Sequence, residues 1–372
     1  MQIPAFGLER FFAAHEFSTR HLLCASDCES MSIDELLAME PGAAQRFGRL
    51  RLGYTESAGA PSLRQAICRL YQTVAPEDVL VMAGAEEAIF LFMHAVLSPG
   101  DRLLFHQPCY QSLCEIARSI GADVIPWQAR EERGWALDPD DLPRLAGRGA
   151  RALVLNVPHN PTGWLMDRDA FLRAAAWADR QGVVLFSDEV YRGLEPSEDR
   201  RLPAAVDVSA SAVSLGVLSK TYGLPGLRIG WVATHHAALR QRMAGLKDYT
   251  TICSSGPSEF LAEVGLAHAP SLAARNRALI DANLALLDAF FSRHADVLSW
   301  HRPGAGPIGF PRVLRGDVEA LCRVARETEG VLLAPGALFG DEGSHVRIGF
   351  GRAGFPQGLE ALERVLQRHA AG

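Results

Sequence analysis

The sequence predicts an α/β protein: a large domain built on a mostly parallel sheet of seven-stranded type, followed by a smaller α+β domain. Three observations carry this. Short runs that are apolar throughout recur along the middle of the chain, helix-like amphipathic stretches separate them, and after residue 257 the pattern changes to a long helical region and short mixed strands. Strands apolar on both faces need cover on both faces, which is the layering of parallel sheets.

The elements follow in order. Residues 1–45 are too few to bury a core alone and are expected to pack on the smaller domain or to cross to a partner chain. Within them Ser32-x-x-Glu35 reads as a capping box, so a helix should start there. The large domain spans 46–256. "DVLVM" (78–82) leads to "AEEAIFLFMHAVL", a buried helix stopped by Pro99-Gly100. "RLLF" (102–105) precedes the helical "QSLCEIARSI" and Gly121, and "DVIPW" follows. "RALVLNV" (151–157) leads to a helix around 168–181, and "VVLFS" (183–187), "AVSLGVL" (212–218) and "IGWVA" (229–233) complete the set. The remainder, 257–372, opens on a helical region reaching about His294. "VLSWHRP", "PIGFPRVL", a helix at 316–328, "GVLLAPG", "HVRIGF" and a last helix at 357–369 come after it.

Bulk properties narrow the function. A chain of 372 residues suits two domains, and 48% apolar content with 22% charged residues is that of a folded soluble protein. The formal charge is −6 and no basic tract stands out, which argues against nucleic acid. The seven cysteines form no CxxC pair, so neither a disulfide framework nor a zinc cluster is expected; a reducing cytoplasm fits, and no metal is assigned. "MQIPAFGLERFF" does not read as a signal peptide. "AIFLFMHAVL" is about half the length a membrane span needs, so no membrane partner is expected.

Ligands of open parallel sheets sit beyond the C-terminal ends of the strands, and the polar candidates fall there. "VVLFS" ends in Asp188, "RALVLNVP" ends at "HNPTG" with Asn160, "AVSLGVL" ends in Ser219-Lys220, and "DVLVM" ends in Ala83-Gly84-Ala85 at a helix start. Each has an ordinary explanation. Asn160 suits a turn, Asp188 could cap a helix, and Lys220 or Arg228 could be solvated. It is their joint placement at strand ends that points to one crevice. In "LSKTYGLPGLRIGW", Gly223, Pro225 and Gly226 lie between two cations and suggest a turn that folds both toward one anion.

"NVPHNPTG", "SDEVYRGL" and "SKTYGLPGLRIGW" resemble the signatures of pyridoxal-phosphate enzymes of fold type I, the aspartate aminotransferase-like class I/II group. The resemblance runs from about Gly53 to the C-terminus. It implies pyridoxal 5'-phosphate as cofactor and transfer of an amino group from an L-amino acid to a 2-oxo acid. Lys220 would form the internal Schiff base and afterwards move a proton between Cα and C4′. Asp188 would face the pyridine nitrogen and keep it protonated. Asn160 and Tyr191 would bond the ring's 3′ oxygen, while Arg228, Ser219 and the backbone N–H groups of Gly84, Ala85 and Glu86 would hold the phosphate. Tyr110 would stack on the ring, and Arg347 would bind the substrate carboxylate with its planar fork. Tyr54 would reach the phosphate of the other subunit, implying a homodimer.

One segment departs from the family pattern. Where a Gly-rich stretch is expected, the chain reads "LLCASDCESMSIDELL". Asp27 and Glu29 then fall in the loop before the capping box. Two carboxylates there would favour a cationic substrate side chain, or would simply suit a helix N-terminus. "LERFFAAHEF" and the lysine block are also similar to enzymes of the capreomycidine synthase type, which cyclise a hydroxylated arginine. Elimination or cyclisation is therefore the alternative to transamination. A nicotinamide dehydrogenase would need G-x-G-x-x-G after the first strand, which "MAGAEEA" does not supply. A DNA-binding regulator with this domain would need room for a further module before Tyr54 and a less acidic balance.

Overall fold

The structure is a computed structural model and describes residues 2–341 and 343–370. Its centre is a seven-stranded sheet. In chain order the strands are β1 (Val79–Met82), β2 (Arg102–Gln107), β3 (Asp123–Gln128), β4 (Ala152–Asn156), β5 (Val184–Asp188), β6 (Val213–Val217) and β7 (Gly230–Ala233). In space they run β1-β7-β6-β5-β4-β2-β3. All neighbours are parallel except around β7, which is antiparallel to both β1 and β6. Each expected strand is present within a residue or two of its reading.

The sheet is covered on both faces because its strands are apolar on both faces. Along β4, Leu153 and Leu155 enter one core layer and Val154 the other; along β5, Leu185 and Phe186 divide in the same way. This is the two-residue alternation of an extended chain. The helix Ala85–Val96 buries Ile89, Leu91, Phe92 and Met93, as its apolar run requires. The helix Arg168–Gln181 starts where Asp167 accepts from the N–H groups of Asp169 and Ala170, at 2.9 and 3.2 Å, and stops at Gly182 in the left-handed region.

The long helical region is two helices, Gly256–Ala267 and Ala269–Arg293. They break at His268 because Pro270, in the first turn of the second helix, has no N–H to give to the first. After them come small antiparallel pairings: Leu298–Ser299 with Arg312–Val313, and Val346–Gly349 with both Ile308–Gly309 and Ala334–Pro335. The N-terminal segment joins this unit. His21–Leu22 pairs in parallel with Val331–Leu332, and the capping box at Ser32 opens the helix Ile33–Ala38. No helix among the described residues is long and apolar enough to cross a membrane.

Register positions the site. Asn156 lies opposite Asp188 across the last rung of β4 and β5. On the other side Met82, Gly230 and Val217 share a rung of β1, β7 and β6. Because β7 is antiparallel, its start lies at the same sheet edge as the ends of its neighbours. Arg228, which precedes β7, is therefore carried to the edge where Gly84 and Lys220 emerge.

Candidate active site

A cavity of about 400 Å³ opens at that edge. Ala85, Glu86, Tyr110, Asn160, Asp188, Tyr191, Ser219, Lys220 and Arg228 line it, as does Asp27. Four strand ends and two loops thus converge as their motifs suggested.

The anion-binding end is built from Ser219, Arg228 and the start of the helix Ala85–Val96. Gly84 sits just before that helix with φ of +91°, and a Cβ there would fall 2.7 Å from Arg228 Nη2. Only glycine lets the guanidinium lie against the helix start. Arg228 itself takes the left-handed conformation at φ of +52°, and its Nη1 donates to the Pro225 carbonyl at 3.0 Å. A guanidinium, a hydroxyl and unpaired helix N–H groups form a site for a phosphate.

At the opposite end Asp188 is buried. Its Oδ1 accepts from Val190 N at 3.2 Å, and burial pushes its carboxyl up to about 7, partly offset by that bond and by Lys220. A buried carboxyl without a cation bonded to it suits a ligand carrying a protonated nitrogen. Lys220 lines the same cavity, half-buried. Nζ donates to Ser26 Oγ at 2.9 Å, and burial lowers the pKa of its amine from the ordinary lysine value. An amine so lowered is a better nucleophile toward an aldehyde.

Polar neighbours fix the side walls. Asn156 Nδ2 donates to the Asp188 carbonyl at 3.1 Å and its Oδ1 accepts from Asn160 N at 2.7 Å. Asn160 Oδ1 in turn accepts from Arg347 Nη1 at 3.1 Å. Arg347 is fully buried behind Asn160 and also donates to the Cys24 carbonyl at 2.7 Å. The Tyr191 hydroxyl donates to the Ser26 carbonyl at 3.0 Å, and the Tyr110 hydroxyl to Glu9 Oε1 at 2.9 Å.

Two sequence candidates, Tyr54 and Glu29, lie away from the cavity in the single chain, and a third, Asp27, lines it with its carboxylate already paired. Tyr54 is 93% exposed and lines no part of the cavity. Glu29 turns away from it: its Oε2 accepts from Ala353 N at 2.7 Å, and its own N–H donates to the Gly351 carbonyl at 2.8 Å. Asp27 does line the cavity, but Arg352 already grips its carboxylate at 2.9 and 2.8 Å. The loop can pass there because Gly349 lacks a side chain; a Cβ would overlap the Ala25 carbonyl oxygen.

Sequence reasoning missed Ser26, Asn156, Glu9 and Glu16, all of which line the cavity. Asn156 had a signal, as the polar residue closing an apolar strand. Glu9 and Glu16 are seven residues apart and so share a face of the N-terminal helix, but nothing local says what that face meets.

A crevice at the C-terminal edge of this sheet, lined by a lysine, a phosphate-type site and a buried carboxylate, has the make-up of a pyridoxal-phosphate enzyme of fold type I. The comparisons agree. The model of the family "Aminotransferase class I and II" matches residues 22–365, and the chain belongs to that family. It is 29% identical to capreomycidine synthase of Streptomyces vinaceus, over 100% of this chain and 96% of that one. Among solved structures it is similar to a PLP-dependent aminotransferase from Streptococcus suis, with 33% identity, a TM-score of 0.93 and 99% of both chains covered. It is also similar to the PLP-dependent cyclase OrfR, with 30% identity, a TM-score of 0.92, and 99% of this chain and 98% of that one covered. The protein is a PLP-dependent enzyme of the aminotransferase class.

Proposed function

We propose that the enzyme transfers the amino group of an L-amino acid to a 2-oxo acid, with Lys220 as the residue that carries the cofactor. The observation that supports this most is that Lys220, Arg228 and Asp188 line one cavity at the C-terminal edge of the sheet. Pyridoxal phosphate supplies an aldehyde that condenses with amines and a ring that takes up the electrons of a carbanion at Cα. Ser219, Arg228 and the N–H groups of Ala85 and Glu86 hold its phosphate. Asp188 would face the ring nitrogen and keep its proton in place. Asn160 and Tyr191 would meet the ring oxygen, and Tyr110 would cover one ring face. Lys220 Nζ, once free, takes the proton from the substrate Cα and delivers it to C4′. Arg347, fully buried behind Asn160, would bind the substrate carboxylate.

A second reading keeps the same residues and changes the fate of the Cα carbanion. Glu9, Glu16 and Asp27 line the cavity together, so the wall facing the substrate side chain is acidic. A wall of that kind favours a guanidinium. One relative is named a synthase of capreomycidine and one neighbour a cyclase. An arginine-like substrate bearing a leaving group on its side chain would then eliminate and close a ring instead of being transaminated.

The enzyme is proposed to work as a homodimer in the cytoplasm. Tyr54, Leu52 and Tyr249 are exposed, and a second subunit would cover them and receive Tyr54 at its phosphate site. The deciding experiment mixes the loaded enzyme with common amino acids and with hydroxyarginine, then analyses products by mass spectrometry. A 2-oxo acid with pyridoxamine phosphate supports transamination; a dehydrated ring supports cyclisation. In Lys220→Ala the visible absorbance of the cofactor-loaded protein should vanish, and its retention with full activity would refute the assignment of Lys220.

A further inference from the structure

We propose that Cys109 and Cys114 are a redox-active dithiol that closes to a disulfide and acts on the cofactor site through Tyr110, the residue that follows Cys109. Cys109 Sγ lies 3.6 Å from Cys114 Sγ. The two belong to different local structures. Cys109 is fixed by its N–H to the Phe339 carbonyl at 3.1 Å, whereas Cys114 stands in the first turn of the helix Ser112–Ile120. A disulfide needs the sulfurs at about 2.05 Å, so closure requires the two side chains to rotate toward each other and strains the turn that holds them.

The two thiols are chemically unequal. One turn further along, Arg118 Nη1 lies 3.4 Å from Cys114 Sγ. The Cys109 S–H directed at Cys114, together with that cation, holds the Cys114 thiol below its ordinary range. The same bond and burial push Cys109 well above it. Such a pair has one nucleophile and one resolving thiol.

Access comes from a second cavity of about 430 Å³, separate from the active-site cavity. Cys109 and Cys114 line it beside Gln107, Gln128 and Arg118. Tyr110 lines the cofactor cavity on the other side. The dithiol therefore stands in the partition between the two cavities.

The oxidant is hydrogen peroxide. The Cys114 thiolate attacks one peroxide oxygen, the O–O bond breaks, and hydroxide leaves and is protonated to water. Cys114 is then a sulfenic acid. Cys109 sulfur attacks the Cys114 sulfur, the S–S bond forms, and a second water leaves. Two thiols lose two electrons and two protons, and peroxide becomes two waters.

The effect on Tyr110 rests on reading that ring as the cover of the cofactor; the linkage itself does not. The test uses the holoenzyme with graded hydrogen peroxide, blocks free thiols with N-ethylmaleimide and maps peptides without reductant. Cofactor absorbance is followed before and after dithiothreitol. Cys253, half-buried, is the internal control. The peptide holding Cys109 and Cys114 should lose two hydrogens at a peroxide level about tenfold below that which oxidises Cys253. The absorbance should shift with it and return on reduction. In Cys109→Ser, dimedone should trap a sulfenic acid on Cys114. Should that variant fail to fold, the wild-type map still decides. Oxidation of Cys253 while Cys109 and Cys114 remain open to alkylation would overturn the dithiol. Linkage with unchanged absorbance would overturn the coupling to Tyr110. A protein that gains no absorbance from pyridoxal phosphate would instead sink the cofactor reading.

Discussion

Asp27 holds Arg352 with both carboxylate oxygens, accepting from Nε at 2.9 Å and from Nη2 at 2.8 Å, while it lines the same cavity as Lys220. The fork shares the carboxylate between the protein's own guanidinium and whatever enters the cavity. Replacing Asp27 by Asn leaves Arg352 as an uncompensated cation near the substrate side chain. Basic amino acids should then lose up to about fivefold in kcat/KM relative to alanine, the equivalent of one weak charge pair. Steady-state kinetics on arginine and alanine check this; an unchanged ratio removes the cationic-substrate idea.

Asp188 gives the cofactor-free protein a pH signature. Burial pushes its carboxyl up to about 7, and burial likewise pushes Glu86 up to about 7. In the unfolded chain both ionise near 4. Between about pH 4 and pH 7 the folded protein keeps protons that the unfolded chain has released, so these groups stabilise it most at low pH. That contribution is lost as pH rises through 7. Thermal unfolding midpoints measured from pH 5 to pH 8 should fall, and Asp188→Asn should fall less. A parallel course for variant and wild type would show that Asp188 is not the source.

Asp188 also bears on chemistry. Without its charge at the ring nitrogen, removal of the Cα proton should slow by about a hundredfold or more. Exchange of the substrate Cα hydrogen with deuterated solvent, followed by NMR, isolates that step from product release. Equal exchange in Asp188→Ala would place the electron-sink role elsewhere.

Gly84→Ala tests the phosphate end. The added methyl would sit 2.7 Å from Arg228 Nη2 on a backbone at φ of +91°, where a side chain is also strained. Arg228 has to move, and pyridoxal phosphate should bind about tenfold more weakly while the fold persists. Fluorescence titration of the cofactor-free variant measures this, and wild-type affinity would contradict the geometry.

Tyr54 is exposed in the single chain, so its role can only appear in an assembly. Sedimentation should show a dimer, and Tyr54→Phe should weaken cofactor binding by about 1 kcal/mol, the worth of one hydrogen bond. Mixed dimers of Tyr54→Phe with Lys220→Ala should regain one functional site. A monomer with full cofactor affinity would leave Tyr54 as a surface residue.

The sequence by itself determined the sheet and the residues at its edge. Strand limits were legible because continuous apolar runs such as "RALVLNV" must be buried on both faces wherever they lie. Asp188, Lys220 and Arg228 were legible because they stand in specific motifs at the sheet edge, and Asn160 because its weaker NPTG motif closes a strand beside them. Only the tertiary structure decided which remote loops complete the cavity. It brought in Ser26, Glu9 and Glu16, turned Glu29 outward and gave Asp27 to Arg352. Those outcomes depend on close approach between segments over three hundred residues apart, such as the 25–27 loop against Gly349 and Gly351. Periodicity reports what a residue needs from its surroundings, whereas the partner it meets is set by how distant surfaces fit.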